Sequence, residues 1–440
     1  MLDRLFRLTE NKTDVRSEVV GGTTTFATMA YIIFVQPAVL SAAGMDFGAV
    51  MVATCISSAV ACFVMAFLAN YPVALAPAMG HNFYFTFTVC LVMGVPWQKA
   101  LAAVFVAGAI FMVLSVFRFR SIILCAIPKS LQSAIAVGIG LLIAFVGLQW
   151  AGLVVDSPGT LVSLGDLSSR PVLLSLVGLL VTSALLVLGI RGALLIGIVF
   201  SAVGGLVLGL VRFQGIASAP PSLSPTFLQL DFSGLFSLEL VTVVIVFLYL
   251  DIFDTVGTLV GVAHQAGLMK DGELPRSERA LFADATGTTL GALLGTSTVT
   301  SYIESSAGVA QGSRTGLSNV VTGIFFLVAL LFSPLVKMIG GGTQIAEGVF
   351  LYPVTAPILI IVGSLMLKSI RNIPLDDPSE TIPAFLTMVG MPLFFSISDG
   401  LALGLVSYAI LKILSGQGRK VSPLIYVLAL LFALRYAFLS

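Results

Sequence analysis

Most of the 21 acidic residues of this 440-residue chain fall in polar loops or at the ends of apolar runs, but Asp251, Asp254 and Glu304 fall inside them. A charged side chain at the bilayer centre costs about 2.5 kcal/mol or more, so such groups turn towards a cavity and serve function. In LYLDIFDTVGTLVG, Asp251, Asp254 and Thr258 recur at i, i+3 and i+7 and share one helical face, with Thr255 beside them. Gly257 and Gly261 leave room there for another backbone. No Lys or Arg is near Asp254 or Glu304 in sequence. An unneutralised carboxyl away from bulk water can take up and release a proton, which is the chemistry of proton coupling. Asp254 and Glu304 are the central pair, with Asp251 one turn away. Asp284 lies near the start of another apolar run and is expected to cap its helix at the cytoplasmic edge.

Asn82 offers a donor and an acceptor together, the combination that reads the edge of a heterocycle. Phe83, Tyr84 and Phe85 follow it and either stack on a flat ring or pack as ordinary span aromatics. His81 reads as a structural or tuning group rather than a proton carrier, and His264 as a solvated residue at a span end.

Two segments must position these groups, and both are poor continuous helices. PVALAPAMGHNFYF sets two prolines and a glycine ahead of His81 and Asn82, while GTSTVTSYIESSAG surrounds Glu304 with β-branched and hydroxyl residues. Broken backbone cannot face hydrocarbon, because its N–H and C=O groups would go unsatisfied. Both segments therefore line a cavity or lie buried in protein. Interrupted spans in corresponding places of two halves point to the binding site of a carrier. Extended chain before a short helix also aims that helix's positive N-terminal end at the cavity.

The composition places these segments in a membrane. Hydrophobic residues make up 58% of the chain and charged residues only 10%, against roughly a quarter charged in soluble domains. Uncharged runs such as residues 19–45, 47–98 and 130–155 exceed the roughly 20 residues that cross a bilayer. Cut at charges, Pro and Gly, the runs give about fourteen spans. A further apolar piece, residues 424–438, is either a fifteenth span or a surface-lying helix.

With the N-terminus inside, seventeen Lys and Arg fall in cytoplasmic loops, among them Arg118, Arg120, Lys270 and Lys412. Five fall outside: Lys99, Arg170, Arg212, Lys337 and Arg435. A miscounted span would scramble this bias, so it supports both span number and orientation. The charged N-terminal stretch lacks a cleavable signal pattern and reads as a cytoplasmic interfacial helix. The Pro/Ser-rich linker 215–237 divides the chain near its midpoint. Seven spans per half is an odd number, so the second half lies inverted.

Net charge is +1, which offers no basic surface for nucleic acid. Cys55, Cys62, Cys90 and Cys125 have no CxxC spacing and no histidine cluster, so neither metal nor disulfide is expected.

EVVGGTTTFATMAYIIFVQP, PVALAPAMGHNFYF, DIFDTVGTLVG and GTSTVTSYIESSAGVAQGSRTGL together resemble the bacterial and fungal adenine/guanine/hypoxanthine permeases. These form the azaguanine-type branch of the nucleobase–cation symporter superfamily, which also holds the xanthine and uracil permeases. The resemblance runs nearly end to end, through LALGLVSYAILKILSG. It implies an all-α polytopic membrane protein with about fourteen transmembrane helices in two inverted seven-helix repeats. Short strands and half-helices are then expected at spans 3 and 10. Residues 1–118 (spans 1–4 and the interfacial helix) and 238–340 (spans 8–11) would form a core domain. Residues 119–214 (spans 5–7) and 341–440 (spans 12–14 and the C-terminal apolar segment) would form a gate domain.

By the same resemblance Asp254 stands for the acidic residue of span 8, Glu304 for the base-binding glutamate of span 10, and Phe83 for the aromatic against the ring. Asn82, Thr258, Thr28 and Ile303 complete the expected substrate-binding set; Asp254, Glu304 and Asp251 make up the proton-coupling set. The implied activity is import of a purine base (adenine, hypoxanthine or guanine) across a bacterial plasma membrane, by proton rather than sodium symport. The core would move against the gate in an elevator-like step. No metal or cofactor beyond the coupling ion is implied, and the protein is expected to pair through its gate domains. One departure is His81, where relatives commonly carry Leu before the Asn, and it bears on which purine is preferred.

An anion carrier on this architecture is opposed by carboxylates at the site without Arg or Lys. An intramembrane enzyme is opposed by the lack of HExxH and GxSxG and of any nucleophile beside a histidine. A channel would differ in showing no saturable, uncoupler-sensitive uptake.

Overall fold

The computed structural model describes residues 2–116, 128–269, 274–346 and 349–439. Arg118, Arg120, Cys125, Lys270 and the expected domain boundary at 118/119 lie outside these residues. A short helix α1 (Leu2–Phe6) leads to α2 (Val15–Met29), whose first turn Asp14 caps by accepting the Ser17 N–H at 2.8 Å. With α3 (Ile32–Ser41) it forms the first span, followed by α4 (Phe47–Val64). The third span is strand β1 (Leu75–Pro77) and helix α5 (Met79–Phe83), extended by π-helical turns over Tyr84–Val92. Helices α6 (Trp97–Val116), α7 (Lys129–Trp150), α8 (Arg170–Val187) and α9 (Ala193–Val207) complete the first half, with hairpin β2 (Val154–Ser157) and β3 (Leu161–Leu164) after α7.

The second half repeats the plan. Helices α10 (Leu238–Gln265) and α11 (Ser277–Leu294) precede the tenth span, which is strand β4 (Val299–Ser301) and helix α12 (Ser305–Val309). Then come α13 (Leu317–Ala329) and α14 (Ser333–Gly340), hairpin β5 (Thr343–Ala346) and β6 (Val349–Leu351), α15 (Ala356–Met366), α16 (Pro378–Phe394) and α17 (Ile397–Leu414). The C-terminal apolar piece is a helix, α18 (Pro423–Leu439), packed against α17. Among the described residues, eight spans are long and apolar enough to cross a bilayer outright. The others are shorter or broken, and the broken ones are the third and the tenth. The architecture is that of a multi-pass membrane protein with two inverted seven-span repeats.

The equivalent strands of the two halves meet. β1 and β4 run antiparallel, pairing Leu75 with Ser301, Ala76 with Thr300 and Pro77 with Val299. The Ala78 and Tyr302 N–H groups extend the ladder to the Thr298 and Ala74 carbonyls at 2.9 Å each. This pairing satisfies backbone that hydrocarbon could not. Pro77 ends its strand and needs no donor there, while the β-branched run TSTVTS suits extended chain.

The helices pack in two groups. In one, α2 and α4 pack on α13, α12 packs on α2, α6 packs on α10 and α11, and α4 on α11; in the other, α7 packs on α15 and α16, α16 on α17, and α8 on α9 and α15. Contact in the first group requires glycine. A Cβ on Gly22 would lie 2.3 Å from the Ser318 carbonyl oxygen, and one on Gly308 would lie 2.2 Å from Thr25 Oγ1. Glu18 strengthens the same seam by accepting the Arg314, Thr315 and Ser318 N–H groups at the start of α13. Gly22→Ala must push α2 away from α13. Its expected cost is about 1–3 kcal/mol, read as a lower melting temperature of the detergent-solubilised protein; an unchanged melting temperature would show that the seam yields freely.

The second group holds a buried ion pair. Lys412 on α17 is 4% exposed, with Nζ 2.7 Å from Glu380 Oε1 on α16 and 2.7 Å from Ser379 Oγ. Tyr408 donates to the same carboxylate at 3.1 Å, and Ser130 of α7 donates to its other oxygen. The loop-cation reading of Lys412 is corrected here: it joins three helices. Removing one partner of a buried pair strands the other charge. Lys412→Met is therefore expected to cost on the order of 3 kcal/mol, and adding Glu380→Gln to recover part of it. A double variant as unstable as the sum of its parts would show that the pair is not coupled.

Candidate functional site

The strand pair sits at the junction of the two helix groups, and α10 runs past it. Along α10, Asp254, Gly257, Val260, Gly261 and His264 are exposed, forming a stripe from mid-helix to its C-terminal end. A cavity of about 250 Å³ opens on the upper part of this stripe. Asp254, Thr258 and Tyr249 line it from α10, His81 from α5, Gln132 from α7 and Met366 from α15. It therefore lies between the two groups. The wall residues on α7 belong to its N-terminal half, and the one on α15 is its last residue. Gly80 makes the approach possible, because a Cβ there would meet Ile139 Cγ2 of α7 at 2.9 Å.

Asp254 is the carboxylate of this cavity. Thr300 on β4 donates to its Oδ2 at 3.3 Å, and among the described residues the cavity wall contains no Lys or Arg. Thr258, one turn on, is 8% exposed and shares the wall.

Asp251 does not share it. At 1% exposure it points behind the strands, where Thr288 of α11 donates to its Oδ2 at 3.0 Å. Asp284 lies in the same layer, fully buried within α11, and accepts from Thr255 at 2.7 Å and Ser301 at 2.9 Å. The expectation that Asp284 caps its helix at the cytoplasmic edge is corrected. The residue before α11 is Arg276, and Asp284 ties α10, α11 and β4 together from inside.

Glu304 precedes α12 and is half-buried. Tyr31 donates to its Oε1 at 2.8 Å, and the Thr28 hydroxyl lies 3.5 Å from its carbonyl oxygen after donating to Thr25 in its own helix. Ile303 beside it is 54% exposed, next to Gly261 of α10. Glu304, Thr28 and Ile303 lie near the strand pair but outside the cavity wall.

Asn82 is fully buried. Its Oδ1 accepts from Ser297, which Gln36 also contacts at 3.1 Å, while among the described residues its Nδ2 has no partner. Phe83 is likewise buried, its ring 5.3 Å from that of Phe87. The structure thus gathers Asp254 and Thr258 at one cavity, and sets Glu304, Thr28, Ile303, Asn82 and Phe83 around the crossing strands. Tyr31, Gln132 and Tyr249 belong to this neighbourhood without having been singled out from sequence. Tyr31 lies within TTTFATMAYI, a signal that was available; Gln132 and Tyr249 reach the cavity only through tertiary packing.

The Permease family model matches residues 16–433. The guanine/hypoxanthine permease PbuG of Bacillus subtilis (strain 168) is 45% identical over 447 residues, covering 99% of both chains. The adenine permease AdeP of Escherichia coli (strain K12) is 44% identical over 441 residues, covering 100% of this chain and 97% of its own. Among solved structures, the transmembrane domain of the cyanobacterial bicarbonate transporter BicA superposes with a TM-score of 0.63 at 15% identity, over 89% of this chain and 97% of that one; the likeness is one of fold. With the family match running almost from end to end, the chain belongs to the Permease family, on the branch that holds the adenine and guanine/hypoxanthine permeases.

Proposed function

We propose that this protein imports a purine nucleobase by proton symport. The observation that carries the reading is an acidic cavity between two helix groups, lined by the broken segment of the third span and by Asp254, which Thr300 of the tenth-span strand holds, in a chain whose full-length relatives are named for adenine and guanine/hypoxanthine. A purine presents N–H donors to Asp254 and a flat apolar face to Phe253 and Ile135 of the same wall. Glu304, Asn82, Phe83, Thr28 and Ile303 reach the base in another position of the cycle, when the groups have moved. Proton exchange is assigned to Asp254 and Glu304. Asp251 is read as a framework residue, because it is buried against Thr288 of α11 and is not among the residues lining the cavity.

Spans 1–4 and 8–11 act as the moving core and spans 5–7 and 12–14 as the gate. The N-terminus lies in the cytoplasm of a bacterial plasma membrane, as the loop charges favour. Two copies pair through their gate domains, which native mass spectrometry in detergent would register as a dimer.

The experiment is uptake of radiolabelled adenine, hypoxanthine and guanine into proteoliposomes under imposed pH or sodium gradients. Saturable uptake driven by an inward proton gradient is expected. Uptake driven only by sodium would overturn the coupling, and competition by sulfate or bicarbonate would favour an anion carrier. A cavity wall with a carboxylate and no cation opposes that second reading.

A further inference from the structure

The broken segment of the third span carries a histidine that the mechanism above does not use. His81 is 3% exposed, and among the described residues neither Nδ1 nor Nε2 has a hydrogen-bond partner. His81 is among the residues that line the same cavity as Asp254. A neutral imidazole carries one donor and one acceptor, and leaving both unpaired in the interior is costly. An unsatisfied buried group in a native structure calls for an explanation, and a bound partner is one. The backbone here is fixed by packing instead of by polar contacts of the ring: Gly80 is pressed against Ile139, and the Asn82 N–H bonds the Ala78 carbonyl at 3.0 Å. Among the described residues both ring nitrogens are therefore left without a polar partner, at the edge of the cavity. Tyr249, whose hydroxyl is also unpartnered, lines the same cavity.

We propose that His81 is a specificity-determining residue of the substrate site, its imidazole N–H donating to an acceptor of the bound purine, N7 or the 6-oxo group. The proposal rests on the purine reading and deepens it. A carboxyl such as Asp254 offers one O–H donor at most, and none once it has released its proton. A base held by Asp254 alone would therefore be read at its acceptors only while that proton stays. His81 supplies a donor in either state, so the two residues together recognise a ring that carries both N–H groups and acceptors. A base without the matching acceptor leaves the imidazole unpaired again, and buried unpaired groups are the strongest source of discrimination available to a site.

The test is a cycle between residue and ligand atom, read as binding by purified protein in detergent. Hypoxanthine is compared with its 7-deaza analogue, which lacks N7, and with unsubstituted purine, which lacks the 6-oxo group. In the unaltered protein one of these losses should weaken binding about tenfold or more. In His81→Leu the same loss should cost less than twofold, with hypoxanthine itself bound about tenfold more weakly. His81→Gln keeps a donor and should restore part of the affinity. His81→Ala, measured beside them, guards against a packing defect peculiar to leucine. Equal losses for each analogue in every variant would overturn the assignment of His81 while leaving the purine reading intact. Failure of the unaltered protein to bind any of the three, or adenine or guanine measured beside them, would instead remove the purine reading, and this inference with it; binding of adenine or guanine alone would overturn the assignment of His81 to the 6-oxo group or N7 of hypoxanthine.

Discussion

Asp254→Asn should still exchange purine base across a proteoliposome membrane but should no longer concentrate it. Asparagine keeps the size of the side chain and a carbonyl that can accept from Thr300, which lies 3.3 Å from Asp254 Oδ2. It cannot carry a proton. The carboxyl it replaces faces a cavity whose described wall offers no Lys or Arg to neutralise it; on the proton-symport reading a proton balances its charge and couples transport to the gradient. At a potential of about 100 mV each imported charge contributes about 2.3 kcal/mol, roughly fiftyfold in accumulation. The variant should lose this factor. Uptake measured as counterflow, with unlabelled base inside, should continue. Making the outside more acid should raise uptake by the unaltered protein and leave the variant's unchanged. Wild-type accumulation by Asp254→Asn would remove this carboxyl from the coupling.

The parts of this arrangement that the sequence reveals are those written in local pattern. Long uncharged runs mark the spans, and prolines, glycines and β-branched residues in PVALAPAMGHNF and GTSTVTSYIE mark where helix gives way to strand. Spacing within one helix was a weaker guide. The i, i+3 relation puts Asp251 and Asp254 on neighbouring edges of α10, and the packing of α11 covers one edge and leaves the other open. Asp284 looked like an end residue because polar Ser277, Glu278 and Arg279 precede it by less than two turns. Its partners, Thr255 and Ser301, come from other elements and are invisible to a local reading. Lys412 was counted as a loop charge for the same reason, since Glu380 lies on another helix. In each case the missing information was a long-range polar contact.

Glu304→Gln is expected to abolish both accumulation and exchange, a broader loss than at Asp254. The two carboxyls differ in how they are held. Asp254 meets the cavity with one long hydrogen bond, whereas Glu304 precedes α12 at the end of the strand crossing and takes a 2.8 Å bond from Tyr31 on the first span. That bond fixes the direction of the carboxylate relative to the base-facing end of β4. Glutamine replaces one oxygen with an NH₂ group. If that group turns toward Tyr31, two donors meet unless the phenol reverses, and if it turns toward the base it offers a donor where an acceptor stood. A wrong partner of this kind costs the desolvation of a buried polar group, about 1–3 kcal/mol and more when a charge is involved. Tyr31→Phe separates orientation from charge, because it leaves the carboxylate in place and deletes only its holder. It should weaken apparent affinity by roughly tenfold, as expected for one hydrogen bond to a charged group, with the accumulation ratio at saturating base preserved. Should Tyr31→Phe destroy accumulation while Glu304→Gln spares it, the tyrosine rather than the glutamate would be the coupling group, and the division of labour between the eighth and tenth spans would have to be redrawn.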